Sequence, residues 1–402
     1  MKKVLAVIAV IIVAAVIWLA ANPDWRKLLA SPPTGNDVLF WTQEQRDAGF
    51  RMMDRLPFII RARTAKTADP KALASGPALD LSMDLQAYVD SQLHAGLVIL
   101  HNGQIRAEFY GLDFDASGRW TSFSVAKSFT STLVGAAIKD GYIDSLDSNV
   151  TAYIEGLRGS AYDGVTVEQL LTMTSGIAWN EDYEDPDSDV AKFLNHRSDG
   201  SMPDLVSYMR ELPRAHPPGE VWNYSTGETN LIGILVSSAT GQTLTDYLED
   251  KVWQTIGMQQ SGSWLIGEDG HEVSGCCIQA ATRDYARFGH FILNGARVNG
   301  ESIVPDDWIA RATTTQAQTP MAGEGYGYQW WTYDDGTYAA RGIFGQGIFI
   351  DPQRKLVIAL NSSWSSALGA RGGENQARED FYRRVQEAID AETLSQRVVT
   401  PD

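Results

Sequence analysis

The spacing of apolar and polar positions divides the chain into stretches of different period. Lys2 and Lys3 precede an unbroken apolar run from Val4 to Ala21. At about 1.5 Å per residue, a helix of that run approaches the roughly 30 Å hydrocarbon core of a bilayer. Residues 23–77 are mixed, with SPPTG at 31–35 and TAKTADPKALASGP at 64–77, and read as a tether with short local structure. From Leu79 the periods sharpen. LDLSMDLQAYVDSQL (79–93) has helical spacing, and GLVILHNGQIRAEFYG (96–111) predicts two strands folded about Asn102-Gly103. WTSFSVAKSFTSTLVGAAIKDGYI (120–143) predicts an apolar helix that stops at Asp140-Gly141.

Residues 141–274 predict helices and loops. TVEQLLTM starts on a Thr166 cap, and STGETNLIGILVSSATG opens with a capping box, Ser225 and Glu228, and closes on Gly241. LTDYLEDKVWQTI, TRDYARFGHFILNGA and PDDWIARATT continue the helical pattern. Strands return as YGYQWWTY (326–333), TYAARGIFGQGIFID (337–351) and KLVIALNSSW (355–364), before a last helix, NQAREDFYRRVQEAIDAE (375–392). The order predicts an α/β (α+β) fold: one antiparallel sheet flanked by helices and built from both ends of the chain, 78–140 with 275–395. Residues 141–274 form an inserted all-helical lobe, 23–77 a tether, and 1–22 a membrane anchor or signal.

Composition narrows the partners. The 402 residues are 44% hydrophobic, enough for a large core, and 33 basic against 50 acidic side chains leave a net charge of −17. Such a surface repels phosphate backbones, which excludes nucleic acid and leaves a small-molecule substrate as the expected partner. No Ala-x-Ala site closes the apolar run and Pro23 follows at once, which favours an uncleaved inner-membrane anchor through residues 4–21 over a cleaved signal peptide. Either reading places the body on the periplasmic side, since Lys2 and Lys3 stay inside. The two cysteines, Cys276 and Cys277, are adjacent; a vicinal bridge is strained, and buried free thiols are expected. Six scattered histidines show no metal-ligand spacing, so neither metal nor cofactor is expected.

Chemistry enters at Ser124 and Lys127. Three residues apart on a helix, they share a face. Burial can depress a lysine until its neutral amine is populated, and that amine can then take the proton from a serine hydroxyl. Tyr224, just before a helix start, can serve as a second acid or base, or can simply staple the helix. In GIFGQGIFI (342–350), Gly345 and Gly347 suit close backbone approach by a ligand, with the Ile348 N–H completing an oxyanion hole; a β-bulge or tight strand crossing is the structural alternative.

Ser124-Val-Ala-Lys127, Tyr224-Ser-Thr226 and Gly345-Gln-Gly347, in this order, resemble the three motifs of the penicillin-recognising serine hydrolases. That superfamily includes serine β-lactamases, DD-peptidases, esterases and 6-aminohexanoate-dimer hydrolases. The resemblance spans roughly residues 80–395. It implies a β-lactamase/DD-peptidase-like fold, Ser124 as acylated nucleophile, Lys127 as its proton partner, Tyr224 as acid/base, and an oxyanion hole from the N–H groups of Ser124 and Ile348. Two departures matter. The second motif ends in Thr226 where Asn is common, so a hydroxyl faces the substrate. The third begins with Gly345 where Lys or His is usual, and with Gln346 and Gly347 following, a substrate carboxylate finds no cation there. Neutral esters and amides are therefore expected to outrun nitrocefin, unless an Arg elsewhere in the cleft, Arg341 for instance, supplies the missing charge. Trp179-Asn-Glu-Asp-Tyr183 resembles the nylon-oligomer hydrolase branch, which makes Tyr183 a candidate substrate contact. Of Trp330 and Trp331, adjacent in a strand, at most one can wall the cleft. The implied activity is amide or ester hydrolysis, 6-aminohexanoate-dimer-hydrolase-like first, carboxylesterase second, β-lactamase or DD-peptidase third. A catalytically idle binding or sensor protein on the same scaffold is the reading from another class.

Overall fold

The computed structural model describes residues 2–33, 38–56 and 61–399; parts of the predicted tether, 34–37 and 57–60, lie outside the described residues. In chain order the strands are β1 Arg61–Ala65, β2 His94–His101, β3 Gln104–Tyr110, β4 Trp120–Thr121, β5 Gly262–Ile266, β6 Ile278–Ala280, β7 Arg297–Val298, β8 Glu301–Ser302, β9 Ala317–Gln318, β10 Glu324–Tyr326, β11 Trp331–Tyr333, β12 Tyr338–Gly342, β13 Gln346–Asp351 and β14 Leu356–Ser362. The helices are α1 Lys2–Ala21, α2 Pro23–Ala30, α3 Gln43–Gly49, α4 Leu85–Ser91, α5 Ala126–Lys139, α6 Val167–Leu171, α7 Asp189–Lys192, α8 Asp204–Met209, α9 Thr226–Thr240, α10 Leu244–Leu248, α11 Thr282–Leu293, α12 Trp308–Ala312 and α13 Glu374–Val399.

Strand alternation sorts the main sheet into two buried faces. Its order is β3-β2-β14-β13-β12-β11-β10-β9, so β2 from the first half of the chain pairs with β14 from the last, Ile99 opposite Ile358. Leu97, Ile99, Phe349, Ile358 and Leu360 meet Val89 of α4 and Phe381, Val385 and Ile389 of α13. The intervening Val98, Leu100, Ile348 and Val357 face the larger core, with Phe129 and Leu133 of α5 and Phe288 and Ile292 of α11. The main sheet with its flanking helices is therefore built from both chain ends, as the residue pattern predicts. A second sheet, order β1-β5-β6-β4, lies beside it.

Four expectations change. The stretch 337–351 is not one strand but a hairpin: Gly342 pairs with Gln346, and Phe344 and Gly345 turn the chain at φ of 57° and 88°. Gly345 is thus a turn residue, where a left-handed φ favours glycine. The described residues of 23–56, namely 23–33 and 38–56, are no loose tether. Leu28, Trp41, Ala48, Phe50 and Met53 are buried against Phe114, Trp120, Phe123 and Phe344, and α3 starts on a complete Thr42/Gln45 capping box. Leu265 of β5, within the stretch read as all-helical, pairs with Ala62 of β1. Cys276 and Cys277, expected as free thiols, are joined to each other; the left-handed backbone of Cys277 (φ 77°) turns both side chains to one side. Among the described residues one helix, Lys3–Ala21, is long and apolar enough to cross a membrane, and none of it is buried in the body.

Candidate active site

The site begins where a short strand is forced into a helix. Trp120 and Thr121 pair with β6, and the Ser122 N–H donates to Ile278 O at 2.8 Å. Phe123 then takes a left-handed φ of 41°, and a single 3₁₀ turn, Phe123–Val125, leads into α5. A bulky residue in that region costs on the order of 1–3 kcal/mol and persists only where its surroundings over-determine it. The turn sets Ser124 at the mouth of a cavity of about 430 Å³, 9% exposed, with Lys127 one turn deeper and 1% exposed.

Lys127 is tied in three directions. Its Nζ lies 2.9 Å from Ser124 Oγ, 3.0 Å from Thr226 Oγ1 and 2.8 Å from Gly275 O. Burial lowers its pKa to about 8, against a smaller upward pull from the Glu181 carboxylate. The Tyr224 ring lies across the amine, 5.0 Å from Nζ to ring centre. Burial and the Glu181 charge hold its phenol above the ordinary tyrosine value, with the Ser124 hydrogen bond and the Arg341 charge pulling the other way. Ser124, Tyr224 and Tyr183 thus line one cavity, with Lys127 buried behind Ser124. Trp331 walls it, stacked on Tyr224 at 5.6 Å, while Trp330 faces the core.

The remaining predicted residues fall elsewhere. Thr226 stands behind the lysine: its N–H donates to Glu181 Oε2 at 2.9 Å and its hydroxyl to Glu181 Oε1, so it braces the amine and does not face a substrate. Ile348 is fully buried in mid-sheet, opposite Ala340 on one side and Ala359 on the other. Gln346 is also fully buried; its amide donates to Ser362 O at 2.7 Å and accepts from the Ser362 N–H at 3.0 Å. Gly345 backs onto Trp364, and Gly347 faces the Tyr382 hydroxyl. The hairpin is the reason. It turns the chain after Gly342 and brings the end of β12, Arg341-Gly342, with Ile343 just past it, to the cavity instead of 345–348. A Cβ on Gly342 would sit 2.6 Å from Ser122 O and 3.1 Å from Ser124 N, so only glycine lets this strand lie against the nucleophile's backbone.

Sequence reasoning passed over Glu181, and named Arg341 only as a side chain able to supply the charge missing at Gly345. Glu181 accepts from Thr226, from Trp179 Nε1 and, at 2.9 Å, from the Tyr183 hydroxyl; its signal was the WNEDY stretch that holds it. Arg341 pairs with Glu324 at 2.9 Å and lies over the Trp331 ring at 4.6 Å. The cleft therefore holds a cation, against the expectation drawn from Gly345. No group of three or more His, Cys, Asp or Glu positioned for a metal occurs among the described residues.

A sheet and helical layer meeting at a serine paired with a buried lysine define a serine hydrolase scaffold. Residues 85–382 match the Beta-lactamase family model, and the chain belongs to that family. It is 29% identical over 322 residues to the 6-aminohexanoate-dimer hydrolase of Paenarthrobacter ureafaciens, covering 76% of this chain and 81% of that protein. It is 28% identical over 223 residues to Esterase EstB of Burkholderia gladioli, covering 50% of this chain and 55% of that one. A solved structure from Bacillus anthracis, given provisionally as a 6-aminohexanoate-dimer hydrolase, superposes with a TM-score of 0.73 at 22% identity, covering 89% of this chain and 95% of that chain. The protein is a serine hydrolase of this family.

Proposed function

We propose that the protein cleaves an amide or ester bond of a small linear substrate through an acyl-enzyme on Ser124, as a 6-aminohexanoate-dimer-hydrolase-like enzyme. The observation that carries this is the set of Lys127 contacts. The Thr226 hydrogen is committed to Glu181, so Thr226 Oγ1 can only accept from Lys127. Gly275 O, a carbonyl, can also only accept. Two N–H bonds of a neutral amine are thereby assigned, and the third tetrahedral direction, toward Ser124 Oγ, is left for the lone pair. That lone pair takes the serine proton as Oγ attacks the carbonyl carbon. Tyr224, a neutral phenol at pH 7, gives its proton to the leaving nitrogen or oxygen, and the proton held by Lys127 restores it. Water then reverses the steps on the ester. The N–H groups of Ser124 and Ile343 receive the oxyanion, Ile343 taking the role first assigned to Ile348.

The substrate reading rests on the Paenarthrobacter relative and on a cleft with aromatic walls, Tyr183 and Trp331, that carries one carboxylate, Glu181, and two guanidiniums, Arg341 and Arg378. The EstB likeness supports carboxylester cleavage as the second reading. For location, the exposed apolar helix α1 supports an N-terminal anchor holding the body on the periplasmic side of the inner membrane, with a cleaved signal as the alternative.

A fluorophosphonate probe tests the reading. Ser124 becomes labelled in the native chain; Ser124→Ala is unlabelled, keeps its melting temperature and loses several orders of magnitude in turnover of 6-aminohexanoate dimer and p-nitrophenyl butyrate. An unlabelled native chain would point to the idle-scaffold reading.

A further inference from the structure

Two phenylalanines with left-handed backbones bracket the candidate oxyanion hole. Phe123 (φ 41°) immediately precedes Ser124, and Phe344 (φ 57°) immediately follows Ile343. Neither conformation is one a phenylalanine adopts unaided. Both rings are buried and meet each other at 5.5 Å. Both also meet the same third ring. Phe50 lies 4.9 Å from Phe123, edge on, and 5.4 Å from Phe344. Phe50 is fully buried and belongs to the segment that follows α1 and α2, far from the family's catalytic motifs in sequence.

Other ties hold this segment to the same two places. The Phe50 carbonyl accepts from the Thr121 N–H at 3.1 Å, one step before the turn that carries Ser124. The Arg46 guanidinium lies 5.0 Å over the Phe344 ring and donates to Gln43 Oε1 at 2.7 Å and Ser365 O at 3.3 Å. Gln43 donates to Ser363 O at 2.7 Å. The strand end that carries Ile343 and the turn that carries Ser124 come from chain positions more than 200 residues apart. Their common support is α3 and Phe50.

We infer that Phe50, with Arg46 beside it, is a positioning residue for catalysis: it holds Phe123 and Phe344 in their left-handed conformations and so sets the spacing of the Ser124 and Ile343 N–H groups. This rests on the acyl-enzyme reading above. Neither residue touches substrate. Their effect falls on the transition state, in which those two N–H groups stabilise a charge that the bound substrate does not yet carry.

The test uses the full chain in detergent, with Phe50→Ala, Phe50→Leu and Arg46→Met, each normalised to the amount of Ser124 titrated by endpoint fluorophosphonate labelling. The expected result is a fall in kcat of about 10- to 100-fold for Phe50→Ala, with KM changed little, since small misplacement of catalytic groups costs about that much. Phe50→Leu and Arg46→Met fall between it and wild type. The inhibition constant of a trifluoromethyl ketone, which forms an oxyanion on Ser124, rises by the same factor as kcat/KM falls. A packing role alone lowers the melting temperature but leaves kcat per titrated serine and the ketone constant unchanged. That outcome, within about twofold of wild type for Phe50→Leu and Arg46→Met, overturns the proposal even if Phe50→Ala does not fold. A native chain that is not labelled at Ser124 overturns the hydrolase reading first, and this one with it.

Discussion

Burial, opposed by Glu181, brings the Lys127 pKa down to about 8, and its neighbours set the direction in which each change moves it. A base acts only when deprotonated, so kcat/KM is expected to rise with pH and level off above about 8, read from a pH–rate profile. Glu181→Gln removes a carboxylate that favours the ammonium, so the rising limb should move to lower pH; a shift upward would contradict the assignment. Arg341 has a separate consequence. It lines the cleft that Gly345 was expected to leave without a cation, as Arg378 does, so the charge argument against nitrocefin and other carboxylate-bearing substrates no longer stands. Arg341→Met should cut kcat/KM for them by about one to two decades, the worth of a charge-assisted hydrogen bond of roughly 1.5–3 kcal/mol. It should leave p-nitrophenyl butyrate nearly unchanged.

At the scale of single elements, α9 shows a local rule overridden by tertiary packing. Ser225 caps the Glu228 N–H as its spacing predicts, but the Glu228 side chain does not return to close the box. It turns inward to the Ser175 and Tyr162 hydroxyls, with Oε2 buried and lacking a hydrogen-bond partner among the described residues. Burial raises its pKa from 4.5 to about 8. Between those values the folded chain binds a proton that the unfolded chain has lost, so stability falls as pH rises across that window. Glu228→Gln should flatten the dependence of melting temperature on pH between about 5 and 8, and should be the more stable variant at pH 8. The 343–345 turn is the other instance. Read as apolar residues with permissive glycines, 337–351 fits a single strand as well as a hairpin. Phe344 at a left-handed φ decides for the hairpin, and Phe344 is held there by packing from outside the element.

Across the whole molecule, residues 23–33 and 38–56 of the segment that reads as a tether are part of the body. A chain beginning at Pro23 keeps α2, α3 and the aromatic cluster, and should match the full chain in melting temperature and kcat once both are soluble. One beginning at residue 57 exposes Phe114, Trp120, Phe123 and Phe344, and should aggregate or lose turnover. Scanning calorimetry and ester kinetics on the two truncations check this. With Leu28 of α2 in the same cluster as Phe123, the packed body begins directly after the apolar helix.

Some of this was present in the residues before any folding was considered. The apolar β-rich runs in 96–111 and 355–364 mark three strands, because a short continuous apolar run bounded by turn residues suits a strand covered on both faces. Ser124 and Lys127 meet because three residues on a helix bring them to one face, and Tyr224 precedes a helix whose cap is written in Ser225. What needed the tertiary structure is whatever depends on groups far apart in the chain. Which glycine lies against Ser124, 342 or those at 345 and 347, is decided by where a hairpin turns. Whether Thr226 faces substrate or braces Lys127 is decided by Glu181, 45 residues earlier. The support given by Phe50 to both sides of the oxyanion site has no local signature, since a ring buried among four others reads in sequence only as one more apolar position.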